Sequence, residues 1–442
     1  MRSAVAPQLP LCAPYGAHKH ADLLRRISLL LDQMPELSGA LLCDLVPAGT
    51  RADFGRQGLS AEQVLRILVL YLMLQTDFEQ LEFHLSDSPA YRAFCRLELG
   101  QPGPKRSTLQ ANVSRVRPQT LQQIHKLLVQ HAVHTGVEPA ERIRTDTTPV
   151  AAAMRAPTDA RLLGDAVRVL SRLLKKAQEQ IPFRTPNHGR RVRRRVLGIH
   201  NAKSEEERTA LYEELIEDTK EYAEAALFAA KWLEGVPGRK MYLLSLELVA
   251  RAECALRIVD QAERRVLEGE QVPAEHKVLS LFETHADLLC KRKQIVYGHK
   301  VCLSFGRSGV VLQAEILRGN PADATQAVPA VKQVKAATGK TPSQVAMDTG
   351  FAAKKNLQEL KQMGVQQVGF TQGRGQSAEA MCGSREAHRK LRRFRAGVEG
   401  QISWLKRSLS MGQSRWKGEP GFWSYVLGIV VTASLVALAQ SG

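Results

Sequence analysis

Between Gly298 and Phe370 the apolar pattern stops recurring every three to four residues and breaks into short runs. HKVCLSF and GVVLQAEIL read as two strands joined by a glycine-containing turn at residues 306–309. Residues 323–340 read as a helix, SQVAMDTGF as a strand, residues 354–363 as a helix and VQQVGF as a strand. A last helix is expected from about His388 to Leu409. Strands that alternate with helices must bury both faces of their sheet, so the fold class is α/β with a mixed or parallel sheet.

The rest of the chain has to serve that sheet. ERIRTDTTPVAA, residues 141–152, is a short β-like segment that precedes a long helical stretch, residues 159–289. The stretch is highly charged, with RRVRRR and EEER, and LYEELIEDTKEYAEAALFAAKWLEG is strongly amphipathic. Upstream, Ser60 with Gln63 forms the signature of a capping box, and residues 64–74 are apolar nearly all round, as in a buried helix. A second helix is expected through Phe78, Leu81 and Leu85. Residues 86–100 then read as a turn, a short helix and a glycine stop at Gly100. Residues 102–118 read as a loop followed by a helix capped at Ser107 or Thr108. A basic helix after a turn can dock in a DNA groove, and an ordinary helical bundle gives the same pattern.

The chain has 442 residues, enough for two or three domains. Lys and Arg number 62 against 44 Asp and Glu, a net +18 that favours a polyanionic partner because each phosphate contact releases counterions. The seven cysteines (Cys12, Cys43, Cys95, Cys254, Cys290, Cys302 and Cys382) are scattered, odd in number and without a C-x-x-C pair. That pattern argues against a zinc site and a disulfide framework and fits a reducing cytoplasm. No basic region followed by an apolar stretch opens the chain, so no signal peptide is expected. FWSYVLGIVVTASLVALA, residues 422–439, is long enough to span a bilayer, but it carries Ser424, Thr432 and Ser434 and stands alone. It is read as a buried terminal helix and not as a membrane anchor. No internal repeat or low-complexity tract is found.

Three acidic residues stand where chemistry on such a sheet would occur. Asp146 lies in the first strand segment. Asp348 ends the strand QVAMD, and open α/β sheets gather their sites at strand ends. Glu399 lies on the last helix, with Arg395 four residues before it and Lys406 seven after, all near one helical face. The stripe could hold a phosphate backbone, or it could be a solvated face with i,i+4 pairs. Carboxylates that converge repel one another, and a hard divalent cation such as Mg²⁺ or Mn²⁺ resolves the repulsion. Glu283, His285 and Asp287 would share one side of a strand and are read as a polar edge.

From SAEQVLRILVLYLMLQ and FEQLEFHLSDSPAYRAFCRL, through RTDTTPV, PTDARLLGDAVRVLSRLL, SLFETHADLLCKRKQIVYGHKVCLSFGRSGVVLQAEILRGNPADA and AMDTGF, to FRAGVEGQISWLKRSLSMGQSRWKG, the chain resembles the DDE transposases of bacterial insertion sequences, and among them the ISNCY group. The resemblance is collinear over roughly residues 58–425. It implies a ribonuclease H-like mixed-sheet catalytic core with Asp146, Asp348 and Glu399 as catalytic residues and metal ligands, holding two Mg²⁺ or Mn²⁺ ions. Arg395, Glu399 and Lys406 match the related helix signature in spacing. The tyrosine of that signature is Arg392 here, and Asp348 is followed by Thr349 where many relatives carry a basic residue.

The expected organisation is an all-helical N-terminal DNA-binding region (residues 1–140) and a ribonuclease H-like core (141–157 and 288–413). A mostly helical insertion (158–287) splits the core, and a C-terminal helix (414–442) packs on it. The expected activity is metal-dependent hydrolysis at insertion-sequence ends followed by strand transfer into target DNA. DNA contacts are expected from Arg395, Lys406, Arg392, Arg407, Arg190, Arg191, Arg193, Arg194 and Arg195. The expected partners are double-stranded DNA, both inverted repeats and target, and a second copy of the chain on paired ends. The expected location is the bacterial cytoplasm. Two alternatives stay open: a DNA-binding repressor descended from a transposase, and a nuclease of the same fold without strand transfer.

Overall fold

The computed structural model describes residues 4, 18–46, 49, 57–98, 102–291 and 294–441, so Cys12 and the expected Gly100 stop lie outside the described residues. Two compact units emerge. One is Met1–Ala153 with His299–Gly442, and the other is Met154–Gly298.

The first unit opens with helices α1 (Lys19–Gln33), α2 (Pro35–Leu45), α3 (Ala61–Leu74), α4 (Phe78–Asp87), α5 (Pro89–Phe94), α6 (Arg106–Val113) and α7 (Pro118–His134). The Ser60–Gln63 capping box is formed in both directions, and α3 is buried almost throughout. A fully buried cation ties this region together. Arg66 on α3 donates to Glu62, Asp32, the Ser28 hydroxyl and the Phe94 carbonyl, and Arg96 completes the cluster on Asp32. Helix α6 begins at Arg106, ahead of the expected Ser107 or Thr108 cap. The Glu82 carboxylate on α4 accepts the Arg106 backbone N–H at 2.6 Å, so the cap comes from another helix and no local hydroxyl is needed.

Strand β1 (Arg142–Ala151) follows, and the second unit interrupts the sheet in sequence. That unit holds α8 (Asp159–Gln178), α9 (Gly189–Asn201), α10 (Glu205–Leu233) and α11 (Arg239–Ala262), packed around a shared apolar core. It closes with β2 (Asp287–Lys291) paired antiparallel to the first residues of β3 (Gln294–Phe305). Sequence periodicity had run the helical pattern on to residue 289. The strand starts at Asp287, while Glu283 and His285 lie in the preceding turn, bonded to each other at 3.0 Å and buried, so they are not an exposed strand edge.

Back in the first unit come β4 (Val311–Leu317), α12 (Ala327–Thr338), β5 (Gln344–Met347), α13 (Lys354–Gln362), β6 (Gln367–Phe370), α14 (Ala378–Cys382), α15 (Arg385–Ser408) and α16 (Gly418–Ser441). The sheet order is β3-β1-β5-β6, with β4 on β3. β1, β5 and β6 run parallel and β3–β4 antiparallel, which makes the sheet mixed. Helix α16 is long and apolar enough to cross a membrane, yet 89% of its apolar window is buried inside the protein. It packs on α1, α3, α7 and β4. Its Ser424 hydroxyl donates to the Val116 carbonyl at 2.8 Å, a partner that a lipid environment would not supply.

One buried histidine gives this unit a pH dependence. The His125 ring on α7 is 2.6 Å from the Val311 carbonyl on β4 through Nε2, and burial lowers its pKa from 6.5. The folded chain therefore favours neutral His125, while the unfolded chain takes up a proton as pH falls through 6.5. Stability should fall as pH drops below that value, and His125→Gln should flatten this part of the melting-temperature profile.

Candidate active site

The register of β1 on β5 builds half of the site. Arg142 pairs with Gln344 and so on to Thr145 with Met347. The next position along each chain is an aspartate, Asp146 in the middle of β1 and Asp348 just past the end of β5, so the parallel register sets the two carboxylates side by side. Burial alternates along β1, with Thr145 fully buried and hydrogen-bonded to the Ser304 hydroxyl on β3 at 2.8 Å. Asp146 consequently points the other way, with its Oδ1 held at 2.8 Å by the Thr147 backbone N–H.

Helix α15 supplies the other half. Ser384 caps it, and Leu391, Val398 and Leu405 form one buried seam. Two glycines let the helix come close. A Cβ on Gly369 of β6 would sit 2.8 Å from Leu391, and one on Gly397 would sit 2.1 Å from the Arg144 guanidinium. In that space Arg144 reaches from β1 to the Gln401 side chain at 2.9 Å and the Phe394 carbonyl at 3.1 Å, with its guanidinium over the Phe394 ring. The contact fixes the helix along its axis, so Arg395 and Glu399 come to Asp146 and Asp348.

There one guanidinium meets three carboxylates. Arg395 Nη2 lies 3.0 Å from Asp146 and 3.5 Å from Asp348, and Nη1 lies 3.0 Å from Glu399. Arg395 is 12% exposed and Asp146 17%, whereas Asp348 is 43% and Glu399 70% exposed. A fourth carboxylate stands behind them. Asp323 accepts from the Thr147 hydroxyl at 2.9 Å and from Lys300 at 3.1 Å. The local field is negative: burial pushes the Cys302 thiol far up, and Glu315, Asp323 and Asp146 push it further. Asp146 and Asp348 meet one nitrogen and Glu399 the other, so the three line a single guanidinium, and hard oxygen donors of this type suit a divalent ion such as Mg²⁺ or Mn²⁺.

The remaining expected residues distribute differently. Arg392 and Arg407 are exposed on α15 and Lys406 is half-buried. In the second unit Arg191 and Arg195 are engaged by acids of α10: Arg191 with Asp218 at 2.6 Å, and Arg195 with Glu214 at 2.6 Å and with Asp218. Arg190, Arg193 and Arg194 face solvent. Half-buried Trp416 packs against Tyr71 and Tyr425. Sequence reasoning missed Arg144, Lys300 and Asp323. Gly397 and Gly400, two glycines inside one helix, were the available signal for a close approach.

Two aspartates thus stand side by side on adjacent parallel strands, with a glutamate on the covering helix. A transposase domain model (DUF772) matches residues 15–115, and a transposase DDE domain model matches residues 290–435. The chain is a DDE transposase, an enzyme of DNA transposition of the kind carried by insertion sequences. DDE transposases have a ribonuclease H-like fold, act on DNA and generally use divalent metal ions. No curated protein and no solved structure matches the chain.

If the Arg144–Gly397 contact sets the helix, Gly397→Ala should cost about 1–3 kcal/mol through overpacking, outweighing the helix-propensity gain of about 1 kcal/mol. Differential scanning calorimetry should show the lowered melting temperature, partly restored in the double variant with Arg144→Ala.

Proposed function

We propose that Asp146, Asp348 and Glu399 form the catalytic, metal-binding triad of this transposase, acting on the ends of an insertion sequence of the ISNCY group. The observation that carries this reading is the single Arg395 guanidinium within 3.5 Å of all three carboxylates. Two Mg²⁺ or Mn²⁺ ions, when bound, supply Lewis acidity to the attacking and leaving oxygens of a phosphodiester. The β1–β5 register sets the backbones of Asp146 and Asp348 side by side, and the Asp146 side chain is the more enclosed of the two. Glu399, on an exposed face of α15, can adjust. The reaction is hydrolysis at the element end to free a 3′-hydroxyl, then in-line attack by that oxygen on a target phosphorus, which breaks the target's phosphodiester and releases its own 3′-hydroxyl.

Several surfaces support the DNA side of the reading. Arg392, Lys406 and Arg407 lie along α15 to hold phosphate near the triad. In the first unit a cleft of about 710 Å³ is lined by Arg106, Arg115, Arg117, Arg415 and Lys417, with Asp77 and Glu79 among them. This cleft and α6 suit a helical N-terminal region, residues 1–140, that binds inverted repeats. The second unit is taken as an insertion in the ribonuclease H-like core, with Arg190, Arg193 and Arg194 of α9 for the DNA backbone. At the α10–α11 end of that unit, Phe228, Trp232, Tyr242, Leu243 and Leu246 are each about half exposed or more. Such an apolar surface suits a second copy of the chain on paired ends. The cytoplasm, with its DNA, is the matching location.

Strand transfer with a pre-cleaved element end tests the function. Joining to target DNA is expected. Cutting without joining would favour a nuclease, and binding without either would favour a repressor. Asp146→Asn, Asp348→Asn and Glu399→Gln should each lower joining by more than about 100-fold, beyond the loss typical of an outer-shell partner. Full Mg²⁺-dependent activity in Glu399→Gln would remove that residue from the triad. For the assembly, Trp232→Glu with Leu246→Glu should shift the chain to a monomer in light scattering.

A further inference from the structure

Arg395 does more in this structure than a phosphate-binding residue needs to do. It bridges Asp146, Asp348 and Glu399 at once, with Nη2 on the two aspartates and Nη1 on the glutamate. A guanidinium brings one positive charge to three negative ones, so the cluster stays under-neutralised. The fit is also incomplete. Both Nη atoms are engaged, but the buried Nε has no hydrogen-bond partner among the described residues. A buried donor left unpaired is costly, which marks the arrangement as one that can be exchanged for a better one. Asp348 and Glu399, 43% and 70% exposed, can turn without repacking the core.

We infer that Arg395 is the resting counter-cation of the triad, and that loading a divalent ion expels its guanidinium from between the carboxylates. The inference rests on the triad reading above and adds a competition to it. A dication and a guanidinium repel at one centre, so the two exclude each other. The released guanidinium stays on α15, three residues from exposed Arg392, where it can meet a phosphate. Metal loading and backbone binding are thereby coupled through one side chain, with no movement of the sheet.

Isothermal titration of Mn²⁺ into the full chain without DNA tests this. Arg395→Gln should bind Mn²⁺ about tenfold tighter than the unsubstituted chain, because no internal cation has to leave; tenfold is about 1.4 kcal/mol. Arg395→Lys covers the case in which the glutamine variant does not fold. A single ammonium cannot span three carboxylates, so the shift should go the same way and be smaller. Metal-free Arg395→Gln should melt below the unsubstituted chain and recover more on adding Mn²⁺. Unchanged or weaker Mn²⁺ binding in the Arg395 variants, with binding abolished in Asp348→Asn, would overturn the competition and keep the triad. Mn²⁺ binding that Asp348→Asn leaves intact would overturn the triad reading itself.

Discussion

Carboxylates repel, and a fold that gathers three of them has to hold them against that repulsion. Here the holding is divided between two devices. The first is the parallel register of β1 on β5, whose paired residues end at Thr145 and Met347 and so set the backbones of Asp146 and Asp348 side by side. The second is the seating of α15 on the sheet, where the buried seam of Leu391, Val398 and Leu405 supplies adhesion and Arg144 supplies position. Apolar packing alone allows a helix to slide. A guanidinium inserted into the space left by Gly397 does not, because its hydrogen bonds to Phe394 and Gln401 are directional. Glu399 is therefore placed by contacts on its neighbours, while its own side chain remains largely in solvent.

The sheet was legible because strands and helices leave different periods in the apolar pattern, and β3, β4, β5, β6 and the long α15 follow the expected order. Asp348 stood out because it ends a strand before a glycine, and Glu399 because Arg395 and Lys406 share its helical face. Asp146 had no such signal and rested on resemblance. The structure adds one: the spacing of 202 residues between Arg142 and Gln344 holds through to Asp146 and Asp348, which is the pairing register itself. What stayed hidden was long-range. The cap of α6 comes from Glu82 on another helix, and Asp323 reaches the site through Thr147. A pattern read along the chain contains neither contact. β2 was hidden for another reason: the helical reading was carried past Gly269 and Pro273, although the helical run ends at Leu267.

Charge was the least direct of the sequence signals. A net +18 suggests a polyanion, but the total counts every cation alike. Arg66 is fully buried and bound to Glu62 and Asp32. Arg144 is committed to Phe394 and Gln401, and Arg191 and Arg195 to Asp218 and Glu214. These cations shape the protein and are spent on it. The exposed set, which includes Arg190, Arg193, Arg194, Arg392 and Arg407, is what an approaching phosphate can meet, and only exposed cations of this kind release counterions on binding. Arg395 belongs to neither group. In the resting arrangement it counts as internal, paired three ways, yet it sits on the helix that presents the exposed arginines. The number of cations available to DNA thus depends on what occupies the triad, so the site's occupancy and the protein's grip on DNA are set by one electrostatic balance.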